Sequence, residues 1–302
     1  MPALRHRDDI PPVQPAIRSQ SAAARTALAQ VAADCRGLPG LPPTPACQTA
    51  AVAYLDGKPP RAFAHRGWHT GDLAGRENTL AAFRRAVDEG YRYLETDVHA
   101  TADGVLIAFH DPFLDRVTDA KGRVAAMTWD QVRRARIRGA DPIPLMSELL
   151  ETLPEARFNI DAKAAGVLGP LADLIRTAGV AHRVCLGSFS DRRLATLRQM
   201  LGPQVDTSMG PREIFRLVRA TARGRGFATS AAAAQVPVSW QRFPIVTPRF
   251  IAAAHAADLE VHVWTINEES EMHRLLDLGV DAIMTDRPDL LRDVLISRGA
   301  WH

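Results

Sequence analysis

A chain of 302 residues with 46% hydrophobic and 24% charged residues sits near the average of soluble globular proteins, which excludes disordered, collagen-like and coiled-coil chains. Thirty-seven Lys and Arg against 34 Asp and Glu give a net charge of +3; most positive charges stand singly among acids, so the sequence shows no basic patch and predicts neither nucleic acid nor an anionic membrane as main partner. Three cysteines, Cys35, Cys47 and Cys185, do not suggest a disulfide framework, and without a signal-type apolar core or about 18 consecutive apolar residues the expectation is a cytoplasmic protein with no stable membrane insertion.

Residues 1–50 hold eight of the 21 prolines and an Ala-rich stretch. Too few bulky apolar side chains lie there to offset the entropy of ordering it, so it reads as a loosely ordered extension. Residues 51–302 then alternate short β-type runs with amphipathic helices. In chain order, the spacing predicts a strand over 61–65 and a helix over 78–89, with Asn78 or Thr79 as N-cap and Gly90 just past its end. A strand follows over 91–99, and another over 105–109 is reached through Asp103-Gly104. An excursion over 110–146 carries a short helix at 128–136. Next come helix 147–153, strand 157–161, helix 168–178, strand 183–187, helix 191–201, strand 204–208 and helix 211–221. Residues 223–234 give no readable pattern, and 235–239 is a weak strand carrying Pro237. Helix 248–257, strand 260–265, helix 269–278, strand 282–285 and helix 289–298 complete the chain. Eight parallel strands in about 250 residues match a (β/α)8 TIM barrel with a short insertion after strand two and an N-terminal extension.

In such a barrel the chemistry sits at the C-terminal ends of the strands. Those ends are polar here: His65-Arg66-Gly67, Glu95-Thr96-Asp97-Val98-His99, Asp161-Ala162-Lys163, Ser188, Trp264-Thr265-Ile266-Asn267 and Thr285-Asp286. Glu95 and Asp97 share one strand face. Taken alone, that segment reads as a half-buried strand whose polar face meets water. Asp161 and Lys163 repeat the geometry on the next parallel strand, however, so three carboxylates can converge in the barrel mouth. Such a cluster needs a cation to stay ionised, and all-oxygen donors suit Mg²⁺ or Ca²⁺ better than zinc; an inward His99 would weaken that choice. His65 and His110 are each, singly, as compatible with a structural hydrogen bond or a turn. Beside a metal site and Arg66 they supply what phosphodiester cleavage needs, one group to activate a nucleophile and one to protonate an alkoxide.

The series His65-Arg66-Gly67, Glu77-Asn78-Thr79, Glu95-x-Asp97-Val98, Thr101-x-Asp103-Gly104, His110-Asp111, Arg116-x-Thr118, Pro144-Leu145, Asp161-x-Lys163, Trp264-Thr265-x-Asn267 and Thr285-Asp286-x-Pro288 resembles the glycerophosphodiester phosphodiesterase family from about residue 61 to 295. That resemblance implies one divalent cation held by Glu95, Asp97 and Asp161, catalytic His65 and His110, and Arg66 and Lys163 at the phosphate. It also implies hydrolysis of a small glycerophosphodiester to sn-glycerol 3-phosphate and an alcohol, in lipid and glycerol metabolism. Trp264, Asn267 and Ser188 are expected to line the substrate. Asp161 stands where the family often has Glu, Trp68 where a small residue is common and Arg76 where Pro is common.

Two other readings stay open on the sequence. One is a lysophospholipase D or phosphatidylinositol phospholipase C type of activity on the same barrel, which needs an apolar lip for an acyl chain; Trp68, Phe113 and Leu114 are the sequence's candidates. The other is a non-catalytic barrel that binds a phosphate ester.

Overall fold

The computed structural model describes residues 54–302; the expectations for residues 1–50, including the state of Cys35 and Cys47, fall outside the described residues. The elements run in chain order as β1 (Arg61–His65), α1 (Leu80–Asp88), β2 (Tyr93–Ala100) and β3 (Leu106–Ala108). The excursion follows with α2 (Trp129–Val132), β4 (Arg136–Ile137) and β5 (Asp141–Pro142). The chain then passes through α3 (Met146–Thr152), β6 (Arg157–Ala162), α4 (Leu168–Ala178), β7 (Val184–Gly187), α5 (Asp191–Leu201), β8 (Asp206–Thr207) and α6 (Pro211–Ala222). It ends with β9 (Ala233–Val236), β10 (Ser239–Trp240), β11 (Phe243–Pro244), α7 (Pro248–His255), β12 (Glu260–Val263), α8 (Glu269–Asp277), β13 (Ala282–Thr285) and α9 (Pro288–Ser297).

Eight of these strands form the parallel barrel that the repeat predicts, in the order β8-β7-β6-β2-β1-β13-β12-β9. A single parallel bridge between Ser208 and Ala233 spans the remaining gap between β8 and β9. β3 pairs antiparallel with β2 outside the ring. The register sets the site: His65 lies opposite Glu95, and Asp97 opposite Asp161. Local chemistry explains the element ends. Thr79 Oγ1 accepts from the Ala82 amide at 3.1 Å and caps α1, the bond that N-cap hydroxyls make. Asn78, the other candidate cap, instead takes a left-handed φ of 57° and turns its side chain to Thr96.

The core divides in two on either side of the sheet. Between barrel and helices, Phe83, Leu94, Phe158, Ile160, Leu171, Val261 and Ile283 are fully buried, as expected for strands covered on both faces. Inside the barrel, Tyr54, Phe63, Tyr93, Cys185 and Met284 pack together. Below them, the Arg61 guanidinium donates to both Glu260 oxygens at 2.8 and 2.7 Å and to Tyr93 Oη at 2.8 Å. A bidentate pair of this kind closes the N-terminal end of the barrel without leaving a buried charge alone.

Some predicted boundaries move. The helix expected over 128–136 stops after Val132, because Val132 and Ile137 both turn into a small core of the excursion with Ile107, Phe109 and Leu114. The strand expected over 235–239 lies earlier, at β9, and ends before Pro237, which cannot donate to a ladder. The run Ala231–Ala234, unreadable by pattern, is buried; its second half, Ala233 and Ala234, begins β9 because of where the barrel closes, not because of its own β preference.

Candidate active site

The C-terminal mouth of the barrel opens into a cavity of about 860 Å³. His65, Arg66, Glu95, Asp97, His110, Asp161, Lys163, Ser188 and Trp264 all line it. Arg66 sits at φ 57° and Gly67 at φ 85°. A side chain at Gly67 would come within 2.9 Å of the Ala82 backbone, so only glycine lets the turn pass this close to α1. The turn sends the Arg66 guanidinium back over the acids, 3.1 Å from Asp97 Oδ2 and 3.0 Å from Glu77 Oε1.

The acids and the lysine form one cluster. Lys163 Nζ lies 2.7 Å from Asp97 Oδ1 and 2.7 Å from Asp161 Oδ2. Burial pushes the Asp97 carboxyl up, but Lys163 and Arg66 outweigh it and hold it below its ordinary range. Glu95 has no such close cation. Burial, followed by the neighbouring Asp97 charge, pushes it up to about 8. Asp161 Oδ1 is buried without a hydrogen-bond partner. The donors are therefore hard oxygens with one acceptor unspent and one carboxyl disfavoured as an anion, a set whose chemistry fits a hard cation. Among the described residues no three His, Cys, Asp or Glu side chains converge into a ready-made cage; the Lys163 ammonium stands between Asp97 and Asp161.

Each histidine of the cavity is held through Nδ1 by a carboxylate. His65 Nδ1 is 2.6 Å from Asp286 Oδ1, and its Nε2 is 3.6 Å from Glu95 Oε2. Burial opposes a charged His65 ring, but Glu95 and the Asp286 hydrogen bond more than offset it and raise its affinity for a proton. His110 Nδ1 is 2.6 Å from Asp111 Oδ1. Asp111 is held in turn by Arg116 Nε at 2.5 Å, and Arg116 also donates to both Glu77 oxygens at 3.0 and 2.6 Å. A chain of charge-assisted bonds thus runs from His110 through Arg116 and Glu77 to Arg66.

Several side chains stand elsewhere than the sequence suggests. Asn267 is not part of the cavity wall; its amide donates to Asp286 Oδ2 at 3.2 Å and its carbonyl oxygen accepts from the Asp286 amide at 2.9 Å, so it braces the residue that holds His65. Ser188 lines the cavity, but its hydroxyl donates to the Ala162 carbonyl at 2.8 Å and accepts from Arg193 Nε. His99 faces the His110 carbonyl, with Nε2 3.0 Å from it, and burial lowers its proton affinity. Trp68 and Leu114 are buried, and Phe113, though half exposed, lies outside the cavity wall. The apolar wall comes instead from Phe189, Met209, Ile214, Phe215, Trp240, Phe243 and Ile245.

Sequence reasoning also missed His69, whose Nε2 is 3.3 Å from Asp286 Oδ1, and Gln235, which donates to Asn159 Oδ1 at 2.7 Å on the cavity floor. Asp286 and Asp111 were legible as parts of motifs, without any sign of which ring each would hold.

Residues 65–290 match the family described as glycerophosphoryl diester phosphodiesterase. A Mycobacterium tuberculosis protein called probable glycerophosphodiester phosphodiesterase 2 is 40% identical over 245 residues, covering 80% of this chain and 92% of that protein. A lysophospholipase D of Rattus norvegicus is 26% identical, covering 80% of this chain and 87% of its own. The crystal structure of a glycerophosphodiester phosphodiesterase from Agrobacterium tumefaciens superposes with a TM-score of 0.62 at 26% identity, over 76% of this chain and 98% of that one.

Proposed function

Because the chain belongs to the glycerophosphoryl diester phosphodiesterase family and is thereby a phosphoric diester hydrolase, we propose that His65 and His110 cleave glycerophosphodiesters to sn-glycerol 3-phosphate and an alcohol. The observation that carries this reading is the pair of carboxylate-held imidazoles in one cavity, Asp286 on His65 and Asp111 on His110, each at 2.6 Å. A carboxylate on Nδ1 keeps that nitrogen a donor and leaves Nε2 to take or give a proton.

One imidazole accepts the proton of the attacking oxygen, from water or from a neighbouring glycerol hydroxyl whose cyclic ester water then opens, as that oxygen bonds to phosphorus. The other donates a proton to the departing oxygen as the P–O bond breaks, so the alcohol leaves neutral. Arg66 and Lys163, both drawn toward the charged form by the acids around them, offset the charge of the phosphoryl oxygens. Arg66 cannot itself serve as the base, since a guanidinium does not deprotonate in proteins. Glu95, Asp97 and Asp161 would hold one Mg²⁺ or Ca²⁺, a reading supported by the unspent Asp161 oxygen and the raised Glu95. When bound, such a cation neutralises developing charge at phosphorus.

The apolar half of the cavity supports a second reading, lysophospholipase D activity, in which an acyl chain lies along Phe215, Trp240 and Phe243. Release of glycerol 3-phosphate from glycerophosphocholine, measured beside release of lysophosphatidic acid from lysophosphatidylcholine, tests both. Turnover of the first substrate alone supports the main reading; comparable turnover of the acylated one selects the second. Turnover of neither overturns both.

A further inference from the structure

The net charge of the whole chain conceals a concentrated basic segment. Residues 211–249 contain seven arginines and no lysine, against a single acid, Glu213, so the remainder of the chain is net acidic. Glu213 is spent on Arg198 and Thr229. Arg212, Arg216 and Arg219 lie on α6, and Arg242 stands in the turn of the β10–β11 hairpin that follows β9, so the basic residues of this segment concentrate on two neighbouring stretches of chain.

The same segment carries half of the large exposed apolar side chains among the described residues. Phe215 is 60% exposed, Trp240 59% and Phe243 73%. Trp240 and Phe243 face each other across the hairpin, with Gln241 at φ 56° turning the chain between them. Phe215 lies one turn before Arg219, whose guanidinium sits 5.4 Å from its ring centre; Arg216 covers the Phe227 ring at 5.6 Å. Exposing such side chains to water is unfavourable, and their clustering at one rim marks an interaction surface. Aromatic rings backed by arginines suit one environment in particular, the boundary between acyl chains and anionic headgroups. These rings also form one wall of the cavity that holds His65 and His110.

We propose that this rim, α6 with the β10–β11 hairpin, docks on the surface of a bilayer carrying anionic phospholipid, so that the barrel mouth faces the lipid. The aromatic side chains enter the headgroup region while the arginines meet the phosphates; among the described residues no helix is long and apolar enough to cross the membrane. Docking of this kind requires no turnover and is independent of the roles assigned to the histidines and acids.

The test is cosedimentation of the full chain with phosphatidylcholine vesicles, with and without phosphatidylglycerol, at low and high salt. The expected result is partition at least about tenfold stronger onto the anionic vesicles, released by salt. W240S/F243S and, separately, R216Q/R219Q should each weaken that partition severalfold, with circular dichroism unchanged because all four positions are at the surface. Failure to sediment with anionic vesicles overturns the proposal. So does parental binding by W240S/F243S, which would reveal charge adsorption alone. A concentration-dependent dimer that W240S/F243S abolishes, in a chain that leaves vesicles in the supernatant, would assign the rim to a second copy instead.

Discussion

Asp286, the residue just past β13, reaches back to His65 at the end of β1 and holds its Nδ1 at 2.6 Å. β1 and β13 are neighbours in the barrel, with Ala64 opposite Thr285, so the first and last strands meet at one imidazole. Asn267 and His69 brace the same carboxylate at 3.2 and 3.3 Å. In the mechanism proposed above, Asp286 is a positioning residue for His65. Asp286→Asn should lower kcat by on the order of 10²-fold while leaving KM within a few-fold, as expected when an acid or base loses its orientation rather than the substrate its contacts. A pH profile shifted along the His65 limb, with unchanged folding, would mark the effect as acting through the ring. An unchanged kcat and profile would count against it.

His65→Ala and His110→Ala should each reduce kcat by about 10²- to 10⁴-fold, the usual worth of a positioned acid or base. Each should also remove one limb of a bell-shaped pH dependence. Near-parental kcat in either variant would take that residue out of proton transfer.

Cation binding can be read without turnover. Mg²⁺ or Ca²⁺ should raise the unfolding temperature of chelator-treated protein, since a ligand that binds only the folded state stabilises it by mass action. Asp161→Asn and Asp97→Asn should each abolish that shift, and EDTA should abolish activity in the parent. An equal thermal shift in Asp97→Asn would show that the ion binds elsewhere.

The Arg61–Glu260 pair at the closed end of the barrel predicts a loss of stability in acid. Burial raises the Glu260 carboxyl, but the hydrogen bonds from Arg61 and His262 outweigh it and bring it down to about 2. A carboxyl whose folded-state value is depressed contributes stability that is present above its unfolded value and lost as pH falls toward the folded one. Between pH 6 and pH 3 this group should account for roughly 2 kcal/mol of lost stability. Urea titrations should show Glu260→Gln less stable than the parent at pH 6, because Arg61 is left buried without its partner, and less dependent on pH below 5. Parallel pH dependence in the two proteins would remove Glu260 as the cause.

Much of the barrel is legible in the chain because each βα unit carries its own punctuation. Thr79, Ser190 and Thr247 cap helices, Gly179 ends α4 in a left-handed conformation, and apolar runs mark strands buried on both faces. Glu95 and Asp97 could be placed on one face, and beside Asp161, from strand periodicity and parallel pairing alone. What periodicity cannot decide is anything that depends on which distant loops meet. The partner of each histidine, the turning of Asn267 away from the cavity, and the burial of Trp68 and Leu114 all follow from loops brought together by barrel closure, at sequence separations up to that of His65 and Asp286. The apolar rim was hidden for the same reason. Phe189, Phe215 and the Trp240–Phe243 hairpin pair belong to three separate βα units, each unremarkable in its local run, and only the barrel gathers them at one mouth.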